Sequence, residues 1–294
     1  NILTVGAVKD LTGGYTGNPA DVLITDFSSW GPADDGRIKP DICGNGYDLI
    51  SAYWHSGLPG ATYFYAGSSG TSMSAPNVTG SLLLLQEHYY NLNSAYMKSA
   101  TLKALAIQTA DECGPDDGPD YMFGWGLLNA ETAANVITNR NTSSLITEET
   151  YDGSTTYSVT VTANGSDPLR ATLVWTDPAG TPPVASLDPA DIMLVNDLDM
   201  TITGAKTNYS PYKLDKDNPA DAATTGDNDV DNVEQIHIAS PTSSVYTITI
   251  THEGSISGGS QNFSLIVTGI VVEEPAVVTY EPSDVTATSV TFDG

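Results

Sequence analysis

"SGTSMSAPNVTG", residues 69–80, decides how the rest of this chain is read. Small residues crowd one hydroxyl, that of Ser72, and Pro76 follows four positions later. The apolar run "SLLLLQEHYY", residues 81–90, predicts a buried helix directly after them. Ser72 therefore falls where a loop turns into a helix. The first amides of a helix have no intrahelical partner and carry partial positive charge, so an oxyanion forming beside Ser72 is stabilised there. A lone Ser before a helix is more often only a cap. The neighbouring segments have to decide between the two readings.

Working outward, "ILTVGAV" (2–8) and "DLISAYW" (48–54) predict strands. "SATLKALAIQTA" (99–110) and "NAETAANVI" (129–137) predict helices, the second with Asn129 as its N-cap. This mixture makes residues 1–140 an α/β region. The opening run reads as a central parallel strand, buried on both faces, and such a strand at residue 1 implies that the natural protein begins earlier. From about residue 155 the period becomes two. Tyr157, Val159 and Val161 alternate with polar residues, as do Leu198, Met200 and Ile202, and then Tyr246, Ile248 and Ile250. Residues 153–273 thus predict an antiparallel β-sandwich, with "TNRNTSSLITEETYDGS" (138–154) as a polar connection before it. "EEPAVVTYEPSD" (273–284) opens a stretch, 274–294, that reads as a linker and the first strand of a further β-module.

Composition narrows the partners. With 294 residues there is room for two cored domains. Ten Lys and Arg face 36 Asp and Glu, a net charge of −26, which argues against nucleic acid or an anionic membrane, since both need a basic surface. The first 140 residues carry about −8 and the remainder about −18, so a cation is expected to bind in the second half. No apolar run is long enough to span a membrane. Cys43 and Cys113 permit one disulfide without requiring it, and no Cys-x-x-Cys spacing marks a metal site.

Gly70-Thr71-Ser72-Met73-Ser74-Ala75-Pro76 closely resembles the nucleophile motif of the subtilases, the subtilisin-like serine peptidases. Further similarity follows in that family's order: "NILTVGAV" at the start, "FSSWGPADDGRIKPDI" (27–42) and "FGWGLLNAETAANV" (123–136). The later region is similar to the sandwich that follows the catalytic domain in a secreted branch of the family, through "VWTDPAG" (174–180) and "LVNDLDMTITG" (194–204). The resemblance implies a partial parallel-sheet catalytic domain of subtilisin type, followed by an all-β, jelly-roll-like sandwich. It makes Ser72 the nucleophile, its backbone N–H an oxyanion donor, and Met73 the neighbouring oxidation-prone methionine. Two departures stand out. Asn77 occupies a position where many members have His, and Cys43-Gly44-Asn45-Gly46 replaces the common Ala-Pro-Gly.

Subtilases place their catalytic Asp and His, and the Asn of the oxyanion hole, ahead of the Ser in segments that precede "NILTVGAV". The resemblance therefore implies that these groups lie outside this chain, and that the chain alone is nearly inert. Its four histidines supply no replacement. His88 is 16 residues along the predicted helix, about 24 Å from Ser72. His55 sits in a loop-like "YWHSGLPG", His237 points away from the face of Ile236 and Ile238, and His252 ends a strand.

Carboxylates are densest between residues 188 and 234, either as a solvated acidic surface or as cation ligands. In "NDLD" the alternation puts Asp197 and Asp199 on one face. The related sandwiches bind calcium near this strand and the following loop, here "NYSPYKLDKDNP" (208–219), so Asp197, Asp199, Asp215 and Asp217 are the expected ligands of a structural calcium ion. Taken together these readings describe a secreted serine endopeptidase acting on protein or peptide substrates, completed by a missing N-terminal part of the catalytic domain. The alternative is a secreted, non-catalytic binding or adhesion module on a subtilase scaffold.

Overall fold

A computed structural model describes residues 2–54, 63–204 and 206–272. His55 and the expected module at 274–294 lie outside the described residues. The chain is a mixed α/β structure. Its N-terminal part contains β1 (Val5–Val8) and β2 (Ile42–Asn45), paired in parallel, and the antiparallel hairpin of β3 (Leu49–Trp54) and β4 (Tyr63–Ser68). Three helices follow: α1 (Thr71–Asn93), α2 (Ser99–Gln108) and α3 (Ala130–Thr138). Asn129 caps α3 as its sequence predicts, its Oδ1 accepting from Thr132 N at 2.8 Å.

The remaining strands form two antiparallel sheets and a short ribbon. β5 (Ser144–Tyr151), β7 (Leu169–Trp175), β12 (Val233–Ile238) and β14 (Gln261–Thr268) build one sheet in the order β12-β7-β14-β5. β6 (Tyr157–Ala163), β8 (Asp197–Gly204), β9 (Thr207–Tyr209), β13 (Val245–Glu253) and β15 (Ile270–Val271) build the other, in the order β15-β6-β13-β8-β9. β10 (Tyr212–Lys213) and β11 (Thr224–Thr225) pair with each other. Period-two alternation sends Leu173 and Trp175, Leu198 and Met200, and Ile248 and Ile250 into one apolar core between the two sheets.

The four-stranded sheet is covered on its other face as well. Ile146, Val174, Val233 and Ile266 pack against Leu105 and Ile107 of α2 and Val136 and Ile137 of α3 in a second core. Polar groups close the seam. The Gln108 amide donates to Arg170 O at 3.0 Å and to Thr268 Oγ1 at 2.9 Å, and its oxygen accepts from Thr172 at 2.6 Å. The two parts of the chain therefore share one buried interface.

Two expectations are corrected and one holds. The polar connection expected at 138–154 contains strand β5, and the sandwich reaches back beyond its expected first residue, 153. Its charges hid it: Glu148 accepts from Lys98 N at 2.8 Å and from Thr101 Oγ1, so this acid belongs to the interface and not to a loop. β1 is buried and parallel to β2 as expected, and its other edge is bonded to residues 23–25, Thr25 N donating to Ala7 O at 3.0 Å and Lys9 N to Leu23 O at 2.8 Å, with a bridge from Val8 to Ile24. Helix α1 buries Val78, Leu85 and Tyr89, but Leu83 and Leu84 are 69% and 66% exposed. A helix apolar on all sides needs cover on all sides, and the described residues cover one flank.

Candidate active site

Ser72 is the second residue of the 23-residue helix α1. It does not cap that helix: the N-cap is Gly70, and no side chain bonds across the cap. Gly70 has φ 154° and ψ 160°, a region open in practice to glycine alone. Its carbonyl accepts from Met73 N at 2.9 Å and Ser74 N at 3.2 Å. The Ser72 amide stands ahead of these bonds in the first turn, where no intrahelical acceptor exists. Ser72 is exposed and Met73 beside it is half-buried, so this serine stands at a solvent-accessible helix N-terminus.

Ser74 holds this turn in place. Its side chain is fully buried, and its hydroxyl lies 2.7 Å from Gly6 O and 2.9 Å from Gly44 O, bridging α1 to β1 and β2. The close approach also explains the departure at Cys43-Gly44-Asn45-Gly46. A Cβ at Gly44 would stand 2.6 Å from Val78 Cγ2, and one at Gly46 2.7 Å from Ala7 Cβ and 2.9 Å from Gly70 O. Gly46→Ala is therefore expected to cost about 1–3 kcal/mol in urea unfolding, because backbone has to move. Gly80→Ala, in the same helix with nothing within 4 Å, is expected to gain about 0.5–1 kcal/mol. Equal effects at the two positions would contradict the packing described. Asn77 is exposed on α1. Cys43 and Cys113 are both free and buried within one apolar cluster, and burial raises both thiols well above their ordinary range.

Among the described residues no histidine is bonded to Ser72. His88 Nε2 lies 2.9 Å from Thr138 Oγ1 at the far part of α1, and His252 lies 3.2 Å from Gly153 O and packs on Tyr151. His237 faces Tyr212 at 3.5 Å; burial, and then Arg170 nearby, push it down to about 4. The described residues thus hold an exposed serine at a helix N-terminus with no histidine bonded to it.

A second constellation lies at one end of the sandwich. Asp197 and Asp199 of β8 share a face, as their alternation predicts, and each meets two further carboxylates. Oxygens of Asp197, Asp229 and Glu253 converge within 4.8 Å of one another, as do those of Asp199, Asp227 and Glu234. Glu234 is 1% exposed; one of its oxygens accepts from Met200 N and the other, Oε1, has no partner. Asp197 Oδ1 and Asp199 Oδ1 are likewise buried and unpaired. Burial, then Asp229, Asp227 and Glu253, push Asp197 up to about 6. Burial, then Asp197, push Asp199 to about 7, and burial raises Glu234 well above the carboxylate range. Among the described residues no Lys or Arg is ion-paired with any of the six. Orphaned carboxylate oxygens on two strands, and nothing softer, make a donor set that fits a hard cation such as calcium.

Asp215 and Asp217 do not join this cluster. Asp215 accepts from Asp217 N at 2.9 Å and from the Asn218 amide at 2.8 Å, and Asp217 pairs with Lys216 at 2.9 Å in an exposed turn. Strand alternation fixes where Asp197 and Asp199 point, whereas nothing in a loop sequence fixes its reach. The four partners missed from sequence are Asp227, Asp229, Glu234 and Glu253. A signal existed for one of them: in "VEQIHI", Glu234 shares a face with Ile236 and Ile238, which places a carboxylate in the sandwich interior.

A family model described as the subtilase family matches residues 1–126. The C5a peptidase of Streptococcus pyogenes serotype M6 (strain ATCC BAA-946 / MGAS10394) is 36% identical over 156 residues, 49% of this chain and 12% of that protein. Subtilisin-like protease SBT3.15 of Arabidopsis thaliana is 34% identical over 134 residues, 40% of this chain and 17% of that protein. The solved structure of the Patellamide maturation protease PatA matches 47% of this chain and 43% of its own, at 27% identity and a TM-score of 0.34. The matched stretch is thus a small part of each curated relative. No helix among the described residues is long and apolar enough to cross a membrane. Residues 1–126, the strand, glycine and helix framework around Ser72, are thus the part of this chain that is similar to the subtilase family.

Proposed function

We propose that this chain is the nucleophile-bearing part of a secreted serine endopeptidase, and that Ser72 is its catalytic serine. The observation that carries the reading is the placement of Ser72: exposed, second in α1, with its turn bridged to β1 and β2 by the buried Ser74. In the reaction, Ser72 Oγ attacks a peptide carbonyl carbon and gives its proton to a base supplied by a segment outside the described residues. The carbonyl oxygen becomes an oxyanion beside the Ser72 N–H at the positive end of α1. Collapse expels the amine and leaves an acyl-enzyme, which water hydrolyses.

The exposed apolar flank of α1, with Leu83, Leu84 and Leu92, is where the completing segment would pack. Without that segment the chain should be nearly inert. In subtilisin itself, where the figure was measured, losing Ser or His alone costs about 2 × 10⁶ in kcat. The sandwich, read as a jelly-roll-like companion domain, would hold structural calcium through Asp197, Asp199, Asp227, Asp229, Glu234 and Glu253. The ion would neutralise carboxylates that otherwise repel one another.

The test uses the longer encoded protein. It should hydrolyse casein, and Ser72→Ala should abolish the hydrolysis while leaving the thermal midpoint within a few degrees. Hydrolysis surviving Ser72→Ala would overturn the assignment. A longer protein with no hydrolysis at all would favour the non-catalytic binding module.

A further inference from the structure

The loop that follows α2 and the loop that follows β10 enclose a cavity of about 470 Å³ on the side of the molecule that carries Trp30. Its floor and walls are apolar: Trp30, Met122 and Phe123, with Pro115, Pro119 and Pro219 at the sides. Trp30 is 56% exposed, so an aromatic face is available to an incoming group. Three carboxylates, Asp116, Asp120 and Asp221, also line the cavity, and neither a lysine nor an arginine does.

These three acids have different duties. Asp120 accepts from Met122 N at 2.7 Å and Phe123 N at 2.6 Å, so it shapes the wall. Asp116 and Asp221 are exposed, and among the described residues no hydrogen bond or ion pair engages either carboxylate. The framework is preformed. Gly31 N bonds Tyr121 O at 2.8 Å, the Tyr121 hydroxyl donates to Gly36 O at 2.9 Å, and Asp120 and Gly124 exchange two bonds of 3.0 Å. A site held this way loses little freedom when a ligand enters.

We propose that this cavity binds a basic, apolar peptide segment: an Arg or Lys flanked by an aromatic or aliphatic side chain. The volume is that of a small-ligand cleft, with room for two or three side chains. The flanking apolar residue fits among Met122, Phe123 and the prolines. The cation stacks over the Trp30 ring, where a guanidinium is attracted by the ring face, and meets Asp116 and Asp221 at the rim. Charge complementarity selects this occupant: an acidic wall on a chain of net charge −26 repels an anionic peptide. The assignment needs neither Ser72 nor the carboxylate cluster of the sandwich, so it stands or falls apart from the peptidase reading.

Isothermal titration of the 294-residue chain with acetyl-Phe-Arg-Leu-amide and acetyl-Phe-Glu-Leu-amide tests it. The arginine peptide is expected to bind about tenfold or more tightly than the glutamate peptide, with the advantage shrinking as ionic strength rises from about 20 to about 200 mM. Asp116→Asn combined with Asp221→Asn, both surface changes, should remove that advantage. Trp30→Ala should weaken the arginine peptide about tenfold. Equal binding of the two peptides, an advantage that persists in the double variant, or no heat at millimolar peptide would each overturn the proposal. So would self-association of the chain abolished by Trp30→Ala, which would make a second copy the occupant.

Discussion

Calcium at one hundred times its Kd is expected to raise the thermal midpoint of the 294-residue chain by about 5–10 °C, far more than NaCl of equal ionic strength. A ligand bound only by the folded state at that excess contributes about 2.7 kcal/mol, and each kcal/mol moves the midpoint about 2–4 °C at this size. The physical cause is the convergence of six carboxylates at one end of the sandwich, three of them with buried, unpaired oxygens and, among the described residues, none ion-paired with a Lys or Arg. Asp199→Asn with Asp227→Asn should remove the calcium increment, and so should Asp229→Asn with Glu253→Gln, which lie nearer the surface. Asp215→Asn with Asp217→Asn should leave the increment intact, because those acids sit in a separate turn. A NaCl effect equal to that of calcium would make the cluster an acidic surface and nothing more.

The second large effect is expected at Asp41, under the parallel strands. Its Oδ2 accepts from Thr4 N at 2.6 Å and Thr4 Oγ1 at 2.8 Å, and Lys39 and Lys103 reach it at 2.7 Å each. The Asp41 and Lys103 side chains are 2% and 7% exposed. Burial alone would push the Asp41 carboxyl up, but Lys103 and Lys39 together hold it at about 2. Because this folded value lies below the unfolded 3.8, the stabilisation is fully present above about pH 4 and is lost as pH falls through about 2. It amounts to about 2 kcal/mol. Asp41→Asn leaves two lysines, one of them deeply buried, without a counter-charge, and is expected to cost about 3–5 kcal/mol at pH 7. The acid limb of the stability curve should flatten in the same variant. A loss below about 1 kcal/mol at pH 7 would show that the cluster does not tie the strands to α2.

Much of this architecture is legible in the sequence because helix-forming runs in its first part give way to period-two alternation in its second. The helix-forming, Ala- and Leu-bearing run of α2, buried on nearly all sides, and the alternation of β8 and β13 lead to the elements observed. The turn around Ser72 is legible for another reason: the approach of α1 to β1 and β2 demands a small residue at Ser74 and glycine at Gly44 and Gly46. What stayed hidden were positions set by partners distant in sequence. β5 reads as polar because Glu148 faces Lys98 and Thr101 from another part of the chain. Leu83 and Leu84 read as buried, but among the described residues nothing covers them. Asp227 and Asp229 sit in a loop that only the folded sandwich brings beside Asp197 and Asp199.

The proposed role of Ser72, a nucleophile whose base comes from outside the described residues, is tested by covalent labelling. A fluorophosphonate phosphonylates a serine only where a base accepts the hydroxyl proton as the phosphorus–oxygen bond forms and fluoride leaves. The longer protein is treated with the reagent, digested and mapped by mass, alongside the 294-residue chain alone. Rapid modification is expected at Ser72 in the longer protein, with little or none in the isolated chain. Modification of another serine in the longer protein, or equally rapid labelling of Ser72 in the isolated chain, would contradict it.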